Sequence, residues 1–117
     1  MTVSLKSEGE MEKELNDAME KEYRESVYLL VDAERQNQID KGKPQSHTWA
    51  MWLMILTDYT GRVARALWNV TFNGGTHDDV LIPLTKAVAV GVAWLEDIVR
   101  YAEVTAVVEK YDEQAEG

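Results

Sequence analysis

The chain has no cysteine, and among its 117 residues there are only two prolines, two histidines and one phenylalanine. Without cysteine there is no disulfide, no zinc-thiolate centre and no thiol nucleophile, and a reducing compartment is allowed. A cytoplasmic protein is the simplest expectation. Two histidines in separate loops, His47 and His77, make a poor transition-metal site, so no metal of that kind is expected. Basic residues are also scarce, with 12 Lys and Arg against 21 Asp and Glu and a net charge of −9. A field of that sign repels nucleic acid at long range, so neither DNA nor RNA is expected as a partner. A local basic pocket can still hold a small anion. Long apolar runs are missing as well: AVAVGVAWL at 87–95 has nine residues, whereas a membrane span needs roughly 20. The start, MTVSLKSEGEMEKE, lacks the basic-then-apolar order of a secretory signal. There is no internal repeat and no low-complexity stretch.

The remaining composition is that of one helical domain, residues 1–117, with 45% hydrophobic residues and enough length for a single core. The ends, 1–14 and 112–117, are expected to fray. Between Met11 and Asp40 glycine and proline are absent, and Leu15, Met19, Val27, Leu30 and Val31 recur at helical spacing. In this first helix the charged EMEKELNDAMEKEYRE reads as solvated and SVYLLVDA as the buried part. Gly42 and Pro44 in DKGKPQSH break the helix, and Ser46 or Thr48 can cap the next. The second helix is expected over Thr48–Asn69, with Trp49, Leu53, Leu56, Val63 and Leu67 on an inward stripe that Trp52 and Met51 widen. NGGTHDD at 73–79 ends it. A third helix is expected from about Asp79 to Tyr111, apolar almost all round between Val80 and Val99, with Pro83 tolerated in its first turn. VLIPL and AVAVGVAW are rich in β-branched residues, yet no strand is expected. Three helices, one of them apolar on most sides, predict an all-α bundle that a second copy completes, as a homodimer or homotetramer.

Three segments, ERQNQIDKGK at 34–43, WLMILTDYTGRVARAL at 52–67 and LTKAVAVGVAWLED at 84–97, together resemble the MazG-like all-α nucleoside triphosphate pyrophosphohydrolases. The likeness covers roughly residues 28–98. Glu34, Arg35, Gln38, Lys41 and Gly42 match the frame of an ERxRQxxK-type signature, and Ala89, Val90, Val92, Ala93, Trp94, Leu95 and Glu96 echo an AAVAVAWLE-like close. The resemblance implies magnesium held by four carboxylates, an ExxE pair on one helix and an ExxD pair on the next. The metal would bind the triphosphate and activate a water that cuts between the α- and β-phosphates. Laid on Gly61, an EExGE motif falls on Asp58, Tyr59 and Arg62; laid on residues 93–96, AWLE puts the ExxD pair at Pro83 and Lys86. All four implied ligand positions hold something else, namely Tyr59, Arg62, Pro83 and Lys86. Cations there repel magnesium.

Two cations in place of the metals suit a phosphate instead. Arg62 and Arg65 can grip its oxygens through planar forks, with Lys86 as a point charge. Such a pocket would hold a nucleotide or another phosphorylated small molecule without hydrolysing it, as a sequestering or sensing protein, for example a phage-type nucleotide sponge. Trp49 and Trp52 can stack on a base or serve as core, Tyr59 lies in the same pocket, and Glu34 and Gln38 can reach a sugar or base. Glu34 is expected to pair with Arg35 or Arg62. The plainer reading makes the cations surface charges, with Asp58 and Arg62 an i,i+4 ion pair. Asp78 or Asp79 reads as a helix cap. Two rivals stay open. One is a divergent magnesium-dependent pyrophosphohydrolase recruiting Asp58, Asp78, Asp79 or Glu34, with Asp97 a further candidate ligand; the other is a dimerisation or interaction module.

Overall fold

The computed structural model describes residues 5–102 and 104–116, and among them every regular element is an α-helix. These are α1 (Glu8–Asp40), α2 (Trp49–Phe72), α3 (Asp78–Arg100) and α4 (Val104–Glu116). The chain divides into two compact units, Met1–Leu30 and Val31–Gly117.

The first unit consists of the leading turns of α1. The helix begins at Glu8, three residues before Met11, because Ser7 starts it: the Glu10 N–H donates to Ser7 Oγ (3.2 Å) and the Met11 N–H to the Ser7 carbonyl (3.0 Å). Ser7 and Glu10 have the S-x-x-E spacing of a capping box, an identifiable sequence signal. The apolar residues of this unit are not buried. Leu15, Met19, Val27, Tyr28, Leu29 and Leu30 are all exposed, so the expectation that SVYLLVDA carries a buried stripe is overturned. Among its described residues the unit holds one helix and no second element to pack on it.

In the second unit α2 and α3 pack along one another. Their shared core is Trp52, Val90 and Ala93, flanked by Ile55, Leu56, Tyr59 and Trp94. Thr48 caps α2, its Oγ1 accepting from the Met51 N–H at 3.2 Å. Of the expected stripe of α2, Trp52, Leu56 and Val63 do turn inward, and Met51 is exposed. Trp52, Ile55, Leu56, Tyr59 and Val63 turn toward α3, whereas Trp49, Leu53 and Leu67 are exposed. Both stripes have helical spacing, and contact with α3 selects between them. The buried positions of α3 are mostly small, namely Ala87, Ala89, Val90, Ala93 and Asp97. Its larger residues Leu84, Val88 and Leu95 stay outside, so α3 is buried on one face rather than all round.

The α2–α3 turn is made at Gly74, whose φ of +74° is the left-handed conformation that side chains disfavour. The cap of α3 is His77, which makes no side-chain cap bond, so neither Asp78 nor Asp79 caps it; both lie in the first turn, where Asp79 accepts from the Thr76 N–H at 2.9 Å. Pro83 lies in the second turn rather than the first, so α3 runs on although this residue cannot donate to the carbonyl four positions back. The expected third helix is also interrupted. At its end Tyr101 and Ala102 donate to Ile98 and Val99, three residues back (3.2 and 3.3 Å), and α3 closes at Arg100. Nothing in the local sequence is a helix breaker there. The closing residues are held from outside, by Arg100 on the Gln45 carbonyl (3.0 Å) and Tyr101 Oη beside Ser46 Oγ (3.1 Å). Residues 1–4 and 117, at the ends expected to fray, lie outside the described residues; α1 covers 8–14 and α4 covers 112–116. Among the described residues no helix is long and apolar enough to cross a membrane.

Candidate functional site

Gly42 is the pivot of the site. With φ at +73° it ends α1, its N–H donating to Ile39 (2.9 Å) and the next N–H, of Lys43, to Gln38 (3.2 Å); left-handed glycine closes a helix in this way. The turn sends residues 43–47 past the ends of α2 and α3, where side chains fasten them. Gln45 Oε1 accepts from Arg35 (2.7 Å), Gln45 Nε2 donates to the Lys43 carbonyl (2.6 Å), and the His47 N–H donates to Asp97 Oδ2 (3.2 Å).

Between this loop, the end of α1 and the α2–α3 pair lies a cavity of about 170 Å³. Trp52, Ile55, Val90 and Ala93 line it with carbon, and Gln38, Lys43, Gln45, His47 and Tyr59 supply polar groups. Arg35, another lining residue, is buried and fully engaged. Its Nε and Nη2 donate to the two oxygens of Glu96 (3.2 and 2.6 Å), and Nη1 reaches Gln38 Oε1 at 3.4 Å. That fork cancels its charge and fixes the wall. Lys43 is different: its Nζ donates to Tyr59 Oη at 2.9 Å, and among the described residues it enters no ion pair. Arg62 stacks over the Tyr59 ring, 4.5 Å from its centre, while holding Asp58 at 2.8 Å. Tyr59 thus stands between two cations at the mouth of an apolar cavity.

Asp97 secures the other side. Its carboxylate is buried and accepts from Trp52 Nε1 (2.7 Å), the His47 N–H and Arg100 (3.2 Å), while the His47 ring meets Trp52 edge-on at 4.6 Å. The Trp52 indole holds the Asp97 carboxyl below the usual 3.8, against the opposing effect of burial and with help from His47, Ser46 and Arg100. Because the folded value is the lower one, the unfolded chain takes up this proton first as the pH falls. The stability from Asp97 is therefore complete above its unfolded value and is lost as pH drops through the folded one. Thermal melting from pH 7 to pH 3 should show a steeper acid fall for the natural chain than for Asp97→Asn.

Of the residues singled out in the sequence, Gln38, Trp52 and Tyr59 meet at the cavity, and Arg62 stands beside it. Trp49 does not join Trp52: it is 71% exposed and does not line the cavity. Arg65 and Lys86 do not line the cavity. Glu34 pairs with neither arginine; its carboxylate meets Asn37 at 3.4 Å, while Arg35 holds Glu96 and Arg62 holds Asp58, as the plainer reading of that pair had it. Asp58, Asp79 and Asp97 are occupied by Arg62, Thr76 and Trp52, and Asp78 is exposed. No three acidic or histidine side chains among the described residues come together as a cation cage. The polar residues missed were Lys43, whose signal was its place directly after a helix-ending glycine, and Gln45 two residues on in the same loop. Comparison of the chain with protein-family models, curated proteins and solved structures finds no match.

Proposed function

We propose that this protein binds a small phosphorylated molecule with a flat ring, a nucleotide or a close relative, and holds it without hydrolysis, on a MazG-like frame whose carboxylate metal site has been replaced. The observation that carries the reading is the Lys43–Tyr59 pair, 2.9 Å apart, at the mouth of a carbon-lined cavity. At about 170 Å³ the cavity is smaller than the 300–1,000 Å³ typical of sites that enclose a whole ligand. It suits a single ring lying against Trp52 and Ile55, with the Gln38 and Gln45 amides for its edge. Sugar and phosphate then project to the mouth, where Lys43 and Arg62 carry the charge that a phosphate needs. Compared with the sequence reading, Lys43 takes the part given there to Lys86. Sequestration or sensing in the cytoplasm, where free nucleotides are at hand, follows from binding without turnover.

Thermal shift against mono-, di- and triphosphate nucleotides, once in EDTA and once in magnesium, tests it. At a hundred times its dissociation constant a ligand adds about 2.7 kcal/mol to stability. A shift in EDTA is expected. Lys43→Ala should weaken binding roughly ten- to a hundredfold, since a hydrogen bond to a charged group contributes about 1.5–3 kcal/mol, and Arg65→Ala should leave it unchanged. A requirement for magnesium with release of pyrophosphate would instead favour the divergent enzyme, and the absence of any shift an interaction module.

A further inference from the structure

Arg35 orients the two amides in the cavity wall. A guanidinium only donates hydrogen bonds, so the atom that faces it must be an oxygen. Gln38 turns Oε1 toward it at 3.4 Å and Gln45 turns Oε1 toward it at 2.7 Å, which leaves the NH2 group of each amide on the other side. The Gln45 nitrogen is used within the loop, donating to the Lys43 carbonyl at 2.6 Å. The Gln38 nitrogen donates to no group among the described residues. Gln38 is only 5% exposed, yet this nitrogen is not sealed inside protein as Trp94 Nε1 is. Because Gln38 lines the cavity, the open side of its NH2 group is the cavity itself. A buried donor needs an acceptor, and here a ligand atom can supply it.

The orientation is locked. Flipping the Gln38 amide would set its NH2 against the donors of Arg35, and Arg35 cannot turn aside, since Glu96 holds its Nε and Nη2 (3.2 and 2.6 Å). The rest of the polar lining has the same sense. Tyr59 Oη accepts from Lys43 at 2.9 Å, so its own hydrogen is free to be given, and an ammonium only donates. Among the described residues of the lining the His47 ring is the exception, because a neutral imidazole keeps one accepting nitrogen.

Resting on the nucleotide reading above, we propose that the ring this cavity takes is oxo-substituted, of the uracil type, and that Gln38, oriented by Arg35, selects it against its amino-substituted counterpart. The direction of entry decides which ring atom is read. Lys43 is exposed and Gln38 is buried, so the charge for a phosphate lies at the mouth and the free amide at the inner end. A ring that enters with its sugar outward presents to Gln38 the substituent across the ring from the sugar bond. In uracil that substituent is a carbonyl, which accepts from the NH2 group. In cytosine it is an amine, which sets hydrogens against hydrogens. A site that hydrogen-bonds one group of its ligand rejects the analogue without it, because the buried partner is then left unpaired. A cavity of about 170 Å³ suits one ring rather than a fused pair.

Isothermal titration of the natural chain in EDTA with uridine and cytidine monophosphate tests the assignment, since the two share sugar and phosphate and differ at the far edge of the ring. Uridine monophosphate should bind about tenfold to a hundredfold more tightly, the effect of a buried donor left facing a donor. Gln38→Glu retains an oxygen for Arg35 and puts an accepting oxygen where the NH2 group was, so the preference should invert. Gln38→Met fills similar space without a donor and should level the two. Equal affinities in the natural chain, tighter binding of cytidine or adenosine monophosphate, or a preference that survives Gln38→Met overturns the assignment and leaves the nucleotide reading standing. No binding of any of the three overturns both. Helical circular dichroism checks that the variants fold, and the comparison on the natural chain decides the ring without them.

Discussion

Trp52→Ala should lower the unfolding free energy by about 3–5 kcal/mol, the range for emptying a buried aromatic site. Small domains are stable by only about 5–15 kcal/mol, so a large part of the folded population is at stake. Trp52 is 3% exposed and sits between α2 and α3 against Val90 and Ala93, and alanine leaves a hole that two long helices cannot close by side-chain movement alone. The same substitution takes away the donor on Asp97. Trp52→Phe separates the two effects, because it retains most of the apolar volume and loses only the N–H. Urea unfolding followed by circular dichroism should show a large drop in midpoint with unchanged slope for Trp52→Ala. Trp52→Phe should lose less, and its acid limb should move to higher pH, since the group that most lowers the Asp97 value is gone. A Trp52→Ala loss below 1 kcal/mol would mean the α2–α3 core is not packed as described. Trp52 also lines the cavity, so the proposed binding of a nucleotide should fall in both variants.

Arg35→Ala should cost about 2–3 kcal/mol. Breaking a fully buried ion pair costs about 3–5 kcal/mol because a charge is left behind without a partner. Here the Arg35 side chain is 6% exposed but that of Glu96 is 42% exposed, so water can recover part of the loss. Arg35 also holds Gln45 and Gln38, and its removal releases the loop that carries Lys43. A double-mutant cycle with Glu96→Gln isolates the pair, with an expected coupling of about 1–2 kcal/mol. Additive losses would show that Arg35 acts through packing rather than charge.

Much of this architecture was legible in the residues. The helical spacing of apolar side chains, the breaks at Gly42–Pro44 and Gly74–Gly75, the Thr48 cap and the Asp58–Arg62 pair are local effects. Each depends on residues within about one turn, and a turn of chain has few ways to arrange itself. The absence of cysteine and of long apolar runs excluded disulfides and membrane-crossing helices by composition alone.

Tertiary structure decided which of two equally periodic faces of α2 turned inward, because periodicity marks a stripe and only a partner helix selects it. It decided the partner of Arg35, since Glu96 lies 61 positions away and no local rule spans that distance. The break after Arg100 depends on the loop at 45–46, which that end of α3 meets only in the folded chain. The site moved for the same reason. Lys86, chosen by its place in a motif, does not line the cavity, whereas Lys43, a loop residue with no motif role, lines it because a left-handed glycine turns the chain there. Short-range geometry is written in neighbouring residues, but the path of a loop and the meeting of distant side chains depend on how whole helices pack.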